Sequence, residues 1–194
     1  MDRTGVRGGP GSPGWDEVLV SAGGGAMGDA LLRSAIQARA ESALADKRWR
    51  VLVGIKAPDD EFAALTALAA ESGEEGGIVV DRARGDFPTL LMNCAMSISQ
   101  GGYNTIMECM HAGCRAVVVP YAGGLETEQT LRAELLAERG VITVLEEADL
   151  SPAAVGDAIA RSLAGPGAAS AGVRTDGAAD GARQVAGWAE ALDW

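Results

Sequence analysis

Three glycine-bearing segments hold the residue types best suited to chemistry. The first is Gly23-Gly24-Gly25-Ala26-Met27-Gly28, placed between an apolar run and an Ala/Leu-rich stretch. A glycine turn that opens a helix leaves backbone N–H groups free to meet an anion. The second reads Ser99-Gln100-Gly101-Gly102-Tyr103-Asn104-Thr105-Ile106-Met107-Glu108. Its two glycines allow a close turn, and a carboxylate one turn into the following helix can accept two neighbouring hydroxyls while the helix N-terminus faces phosphate. The third, from Pro120 to Gln129, leaves an apolar run and enters a stretch where Glu128 and Gln129 offer a carboxylate and an amide to a polyhydroxylated ligand. Each segment also has a plainer reading. The first can be a tight turn that needs glycine. Thr105 and Glu108 have the spacing of a capping box. Glu126 and Glu128 can be acids favoured by the positive end of a helix.

The surrounding chain predicts the scaffold for these segments. Short apolar runs at 17–22, 49–55, 78–80, 95–99, 115–120 and 141–145 read as strands. Helical patterns occupy 28–45, 59–71, 87–93, 103–112, 126–139 and 151–163, the last opening at a Ser-Pro cap. Uniformly apolar strands alternating with helices imply a parallel sheet covered on both faces, a doubly wound, Rossmann-like α/β domain over 17–163. Ligands of such sheets sit beyond the carboxyl ends of the strands, which singles out the loops after Ala22, Ser99 and Pro120. Residues 1–16, rich in Gly and Pro, read as a flexible linker, and 164–176 as a loop. Residues 177–194 read as a last amphipathic helix with Val185, Trp188 and Leu192 on one face.

Composition removes several classes. The chain has 194 residues and a formal net charge of −11, so it lacks the basic excess that nucleic-acid binding needs. Cys94, Cys109 and Cys114 are odd in number, contain no CxxC pair and accompany a single histidine, His111; buried free thiols and a reducing, cytoplasmic setting follow, and a zinc site does not. No apolar run approaches the ~18 residues of a membrane span. Gly23 to Gly28 satisfies Gly-x-Gly-x-x-Gly, but a dinucleotide fold also wants an acid ~20 positions on, at the tip of the second strand. That strand ends at Ile55-Lys56 instead, leaving only a 2′-phosphate cofactor, held by Lys56, as a redox alternative.

The ordered set of motifs resembles the C-terminal half of glycosyltransferase family 28, of the GT-B fold. The family pattern S-x-x-G-x-x-T-x-x-E-x-x-x-x-G is met by Ser99, Gly102, Thr105, Glu108 and Gly113, followed by the apolar 116–120 run ending in Pro120 and by Glu128-Gln129. Leu131, Ala133 and Leu135 then lead to Gly140 as the family's helix does. The resemblance implies a nucleoside-diphosphate-sugar donor, a UDP-sugar, carrying a hexose or N-acetylhexosamine, with no cofactor and no metal. It implies that Gly24 and Gly25 face the diphosphate and acceptor side, that Ser99 belongs to the substrate-binding set, that Gly101, Gly102 and Thr105 support the diphosphate, that Glu108 holds the ribose hydroxyls, and that Glu128 and Gln129 contact the sugar. The base is expected in the crevice near the strand before the second segment. The general base and the acceptor, lipid-linked or small, would belong to an N-terminal domain or a partner subunit, with the enzyme cytoplasmic or peripheral at the inner membrane face. The same fold also serves non-catalytic donor-binding subunits and sugar-nucleotide hydrolases or epimerases. Cys114-Arg115, where relatives often have proline, and Gly123-Gly124 depart from the pattern, and both are expected to affect sugar choice more than fold. His111, beyond Glu108 in mid-helix, is expected to be a helix-surface or packing residue and not a catalyst.

Overall fold

The computed structural model describes residues 7–22, 26–73, 76–120 and 127–167. The strands β1 (Val18–Ser21), β2 (Trp49–Val53), β3 (Ile78–Arg82), β4 (Met96–Gln100), β5 (Arg115–Val119) and β6 (Thr143–Val144) form one sheet in the order β3-β2-β1-β4-β5-β6. Every neighbouring pair is parallel, with β1 aligned to β4 through Val20↔Ile98 and Ser21↔Ser99, and β4 to β5 through Gln100↔Val119. The helices are α1 (Ala26–Ala38), α2 (Asp59–Glu71), α3 (Phe87–Asn93), α4 (Tyr103–Ala112), α5 (Thr127–Glu138) and α6 (Pro152–Ala164). This is the doubly wound α/β sheet that the alternation predicts.

Alternating strand residues build two cores. Val18, Val20, Val51 and Ile98 meet Leu32 and Ile36 of α1, Leu65 of α2 and Ile159 of α6. Leu19, Leu52, Ala116 and Val118, on the opposite face, meet Leu90 and Leu91 of α3, Ile106 and Cys109 of α4 and Ala133 of α5. Strand order reverses between β1 and β4, because α1 and α2 wind one way from β1 and α4 and α5 the other. That reversal opens a crevice at the carboxyl ends of the strands.

Several element bounds differ from expectation. The 28–45 helix stops at Ala38, followed by a 3₁₀ turn over Arg39–Glu41. Ser42 closes it: its Oγ donates to the Arg39 carbonyl (3.0 Å) and accepts from the Leu44 N–H (3.2 Å). Strand β3 runs two residues beyond Val80, since Asp81 and Arg82 pair with Leu52 and Val53. Residues 7–16, read as flexible linker, are folded into turns tied to the end of α3. Asn93 accepts from the Gly8 N–H (2.7 Å), donates to the Pro13 carbonyl (2.9 Å), and its carbonyl accepts from the Asp16 N–H (3.1 Å). Gly14 has φ +76°, and a Cβ there would stand 2.9 Å from the Leu90 Cα. Residues 177–194 lie outside the described residues. No described helix is long and apolar enough to cross a membrane.

Candidate functional site

The second segment folds as a strand-to-helix turn at the crevice. Strand β4 ends at Gln100, and Gly102 is the N-cap of α4 with φ −63° and ψ 141° and no side-chain cap. The first helical bond runs from the Ile106 N–H to the Gly102 carbonyl (3.1 Å), so the N–H groups of Asn104 and Thr105 have no partner within the helix. Thr105 and Glu108 are therefore the third and sixth residues of α4, and the capping-box reading fails because the helix starts before Thr105. Glu108 is half-buried, one turn beyond Thr105 on the same side of the helix.

The two glycines do different work. A Cβ on Gly101 would lie 2.9 Å from the Pro120 Cα, 3.3 Å from the Pro120 nitrogen and 3.1 Å from Val118 Cγ1, so the turn needs glycine to close on β5. The Gly101 N–H donates to the Val119 carbonyl (2.8 Å), which locks the turn to the end of β5. A Cβ on Gly102 would meet none of the described residues within 4 Å. Packing against the described residues therefore does not demand glycine there, and they leave space in front of the α4 N-terminus.

That space adjoins a cleft of about 260 Å³ lined by Ser21 and Ala22 from the end of β1, Leu52, Ala83, Arg84, Phe87, Gln100 and Thr105. It occupies the reversal between β1 and β4. Ser99, by contrast, is 1% exposed within the strand, and its Oγ has no hydrogen-bond partner among the described residues. Gly24 and Gly25 lie outside the described residues; the flanking β1 and α1 end and begin at this edge. Glu128 and Gln129 fall in the first turn of α5, which follows the carboxyl end of β5 on the same edge, while their side chains lie outside the described residues. The carboxyl ends of β4 and β5 thus lie on one edge of the sheet.

Arg84 and Phe87 were not singled out by sequence reasoning. The signal available was Arg82-Ala83-Arg84 at a strand's carboxyl end, directly before a short helix. Arg84 donates through Nε and Nη2 to the two Asp86 carboxylate oxygens, both at 2.8 Å, and its Nη1 lies 3.6 Å from Asp81 Oδ2. The bond to Asp86 raises the guanidinium above its ordinary value, and the same bond holds the Asp86 carboxyl below its own. Asp81 also binds Arg50, which donates to Glu17 Oε2 (2.7 Å) and Oε1 (3.0 Å). An ion-pair chain therefore runs from Glu17, the residue before β1, through Arg50 of β2 and Asp81 of β3 to Arg84 at the cleft.

Other expected residues lie elsewhere. His111 is exposed in the last turn of α4, as expected. Arg115 corrects an expectation. It opens β5 at the far end of the strand from the cleft, and its Nη1 donates to the carbonyls of Ser162 and Gly165 (2.7 Å to the latter). Its work is to tie β5 to the end of α6, not to choose a sugar. Gly123 and Gly124 lie outside the described residues. The three cysteines are buried free thiols. Contact with Cys114 and burial push Cys109 up; for Cys114 the Cys109 contact pulls down, but contact with Cys94 and burial outweigh it. No group of residues suited to hold a metal ion occurs among the described residues.

Comparison with known proteins adds relatives to this geometry. The glycosyltransferase family 28 C-terminal domain matches residues 84–185. The UDP-N-acetylglucosamine–N-acetylmuramyl-(pentapeptide) pyrophosphoryl-undecaprenol N-acetylglucosamine transferase of Agrobacterium fabrum is 26% identical over 151 residues, covering 76% of this chain and 39% of the relative. The Brucella suis enzyme of the same name is 27% identical over 174 residues, covering 87% and 45%. This chain thus spans less than half the length of these curated relatives. Among solved structures, Acinetobacter baumannii MurG superposes with a TM-score of 0.60 at 18% identity, covering 80% of this chain and 42% of that one. The spinosyn rhamnosyltransferase SpnG gives 0.61 at 22% identity, covering 84% and 41%.

Proposed function

Because the chain belongs to glycosyltransferase family 28 as a C-terminal domain, we propose that it binds the nucleoside-diphosphate-sugar donor of a two-domain glycosyltransferase. The donor of this reading is a UDP-sugar carrying an N-acetylhexosamine, by analogy with the named activity of the curated relatives. The observation that carries it is the N-terminus of α4, without a side-chain cap, opening on space that the described residues leave unfilled beside the cleft at the β1–β4 reversal. The diphosphate would take the free N–H groups of Asn104 and Thr105, where the helix dipole favours negative charge. Glu108 would accept the two ribose hydroxyls. Glu128 and Gln129 would meet the sugar at the start of α5, and Gly24 and Gly25 the diphosphate from the β1 side.

An acceptor hydroxyl, lipid-linked or on a small molecule, would attack the anomeric carbon as the nucleoside diphosphate leaves. The growing negative charge on the leaving diphosphate would be met by pre-aligned N–H groups, the electrostatic role that often dominates such catalysis. The acceptor and the general base would come from a second domain or subunit across the edge. The reaction belongs in the cytoplasm, at the inner membrane face where the acceptor is lipid-linked.

Calorimetry with UDP, UDP-N-acetylglucosamine and dTDP-sugars tests the reading on the purified chain and on Glu108→Ala. Two hydrogen bonds to an ionised carboxylate contribute about 1.5–3 kcal/mol each, so their loss weakens donor binding roughly 100-fold or more. Equal affinities for the wild type and Glu108→Ala, with the fold intact, would remove Glu108 from the site.

A further inference from the structure

Two of the three buried cysteines sit where the end of α4 turns into β5. The turn is a Schellman motif: the Cys114 N–H donates to the Cys109 carbonyl (3.3 Å), the Gly113 N–H donates to the Met110 carbonyl (3.2 Å), and Gly113 takes a left-handed φ of +66°. In this motif the residue near the helix end and the second residue beyond it fold their side chains together. Here both of them are cysteine. A backbone bond of 3.3 Å keeps the two Cα atoms within about 7 Å, the outer limit for a disulfide. The Cys114 Sγ lies 3.7 Å from the Cys109 carbonyl oxygen, and the two thiols contact each other inside one apolar cluster. Cys94, the third thiol of that cluster, also meets Cys114, but its Sγ donates to the Leu91 carbonyl of α3 (3.2 Å). The proposed donor site uses none of the three. The turn lies at the amino end of β5, at the opposite edge of the sheet from the cleft.

We propose that Cys109 and Cys114 form a thiol–disulfide couple, closed by a low-molecular-weight disulfide into a bridge that staples the end of α4 to the start of β5. Cys114, 7% exposed against 1% for Cys109, attacks first. Its sulfur bonds to one sulfur of the small disulfide and expels the other as a thiol. The Cys109 sulfur then attacks Cys114 and displaces the second small thiol. One small S–S bond and two protein S–H bonds give way to one protein S–S bond and two small S–H bonds. The protein loses two electrons and two protons, and the small disulfide gains them. Burial makes the exchange slow, because the reagent must wait for the turn to open. This couple is independent of the donor site.

The test incubates the folded 194-residue chain overnight with oxidised glutathione, quenches with acid, alkylates the remaining thiols and weighs the product. The wild type is compared with Cys94→Ala, Cys109→Ala and Cys114→Ala, and circular dichroism confirms that each variant folds. The wild type and Cys94→Ala each lose two hydrogens and leave Cys109 and Cys114 unlabelled. Cyanogen bromide cleaves after Met110, between the two cysteines, and the flanking fragments stay joined until a reductant parts them. Cys109→Ala stops at a glutathione adduct on Cys114, and Cys114→Ala forms no bridge. Closing a six-residue loop restricts the unfolded chain, so the bridged wild type melts roughly 4–9 °C above the reduced protein, and reductant reverses the gain. A bridge through Cys94 overturns the inference. So do thiols that all stay free in the folded chain while the denatured chain oxidises, and a bridged chain that melts below the reduced one.

Discussion

Gly101 and Gly102 are neighbours with opposite reasons for being glycine, and exchanging each for alanine separates fold from ligand. At Gly101 the new methyl would stand 2.9 Å from the Pro120 Cα and 3.3 Å from its nitrogen, backbone atoms that cannot rotate away. Overpacking of this kind costs about 1–3 kcal/mol. For a chain of this size each kcal/mol lowers the melting temperature by about 2–4 °C, so Gly101→Ala is expected to melt roughly 2–12 °C below the wild type. At Gly102 the backbone, φ −63° and ψ 141°, suits any residue, and a methyl meets none of the described residues within 4 Å. Its effect on stability stays within about 0.5 kcal/mol. The same methyl would stand in the approach to the Asn104 and Thr105 N–H groups, and displacing a phosphate there by one lost contact, about 1.4 kcal/mol, weakens UDP tenfold. Differential scanning fluorimetry and calorimetry read the two quantities on the same samples. A Gly102→Ala protein that binds UDP as the wild type does, or a Gly101→Ala protein that melts with it, would refute this division of labour.

Two further outcomes follow from buried charge and buried sulfur. Arg50→Met strands the Glu17 carboxylate, whose side chain is 9% exposed and whose other cation, Arg48, lies 3.9 Å away; urea unfolding should show a loss of about 3 kcal/mol, and the double variant with Glu17→Gln should regain part of it. A loss under 1 kcal/mol would mean that solvent screens the pair. Cys109 and Cys114 hold their protons to higher pH than an unfolded thiol does, so above about pH 8.5 the unfolded chain binds fewer protons and stability falls as pH rises; below that value their contribution is constant. Stability that stays flat up to pH 10, or native thiols that react with a disulfide reagent at pH 8 as fast as in denaturant, would contradict their burial.

Much of the scaffold was legible because its signals are local. The apolar runs mark the strands, Gly113 (φ +66°) and Gly140 (φ +69°) end helices where a left-handed turn is needed, and the Ser151 Oγ accepts from the Ala154 N–H at the start of α6. Errors arose where composition had no local stop or where the partner was distant. Nothing in the Ala/Leu-rich 28–45 stretch marks the bend made by Ser42. Gly/Pro-rich residues 7–16 read as linker because Asn93, which ties them, is 80 positions away in the Pro13 bond. Arg115 read as a sugar-site departure because its partners on α6 are invisible in order along the chain.

Residue types and spacing alone determined the fold class and the family motifs, since backbone periodicity, glycine freedom and helix-start chemistry act within a few residues. Only tertiary structure decided which glycine closes a turn and which leaves room, and whether Thr105 caps a helix or sits inside it. It alone set the state of Arg84, whose carboxylate partners lie on and beyond β3, one of them, Asp81, also held by Arg50 of β2. Parallel pairing brings such residues together across long intervals of chain. Their charge and freedom depend on those neighbours, and no local pattern records them.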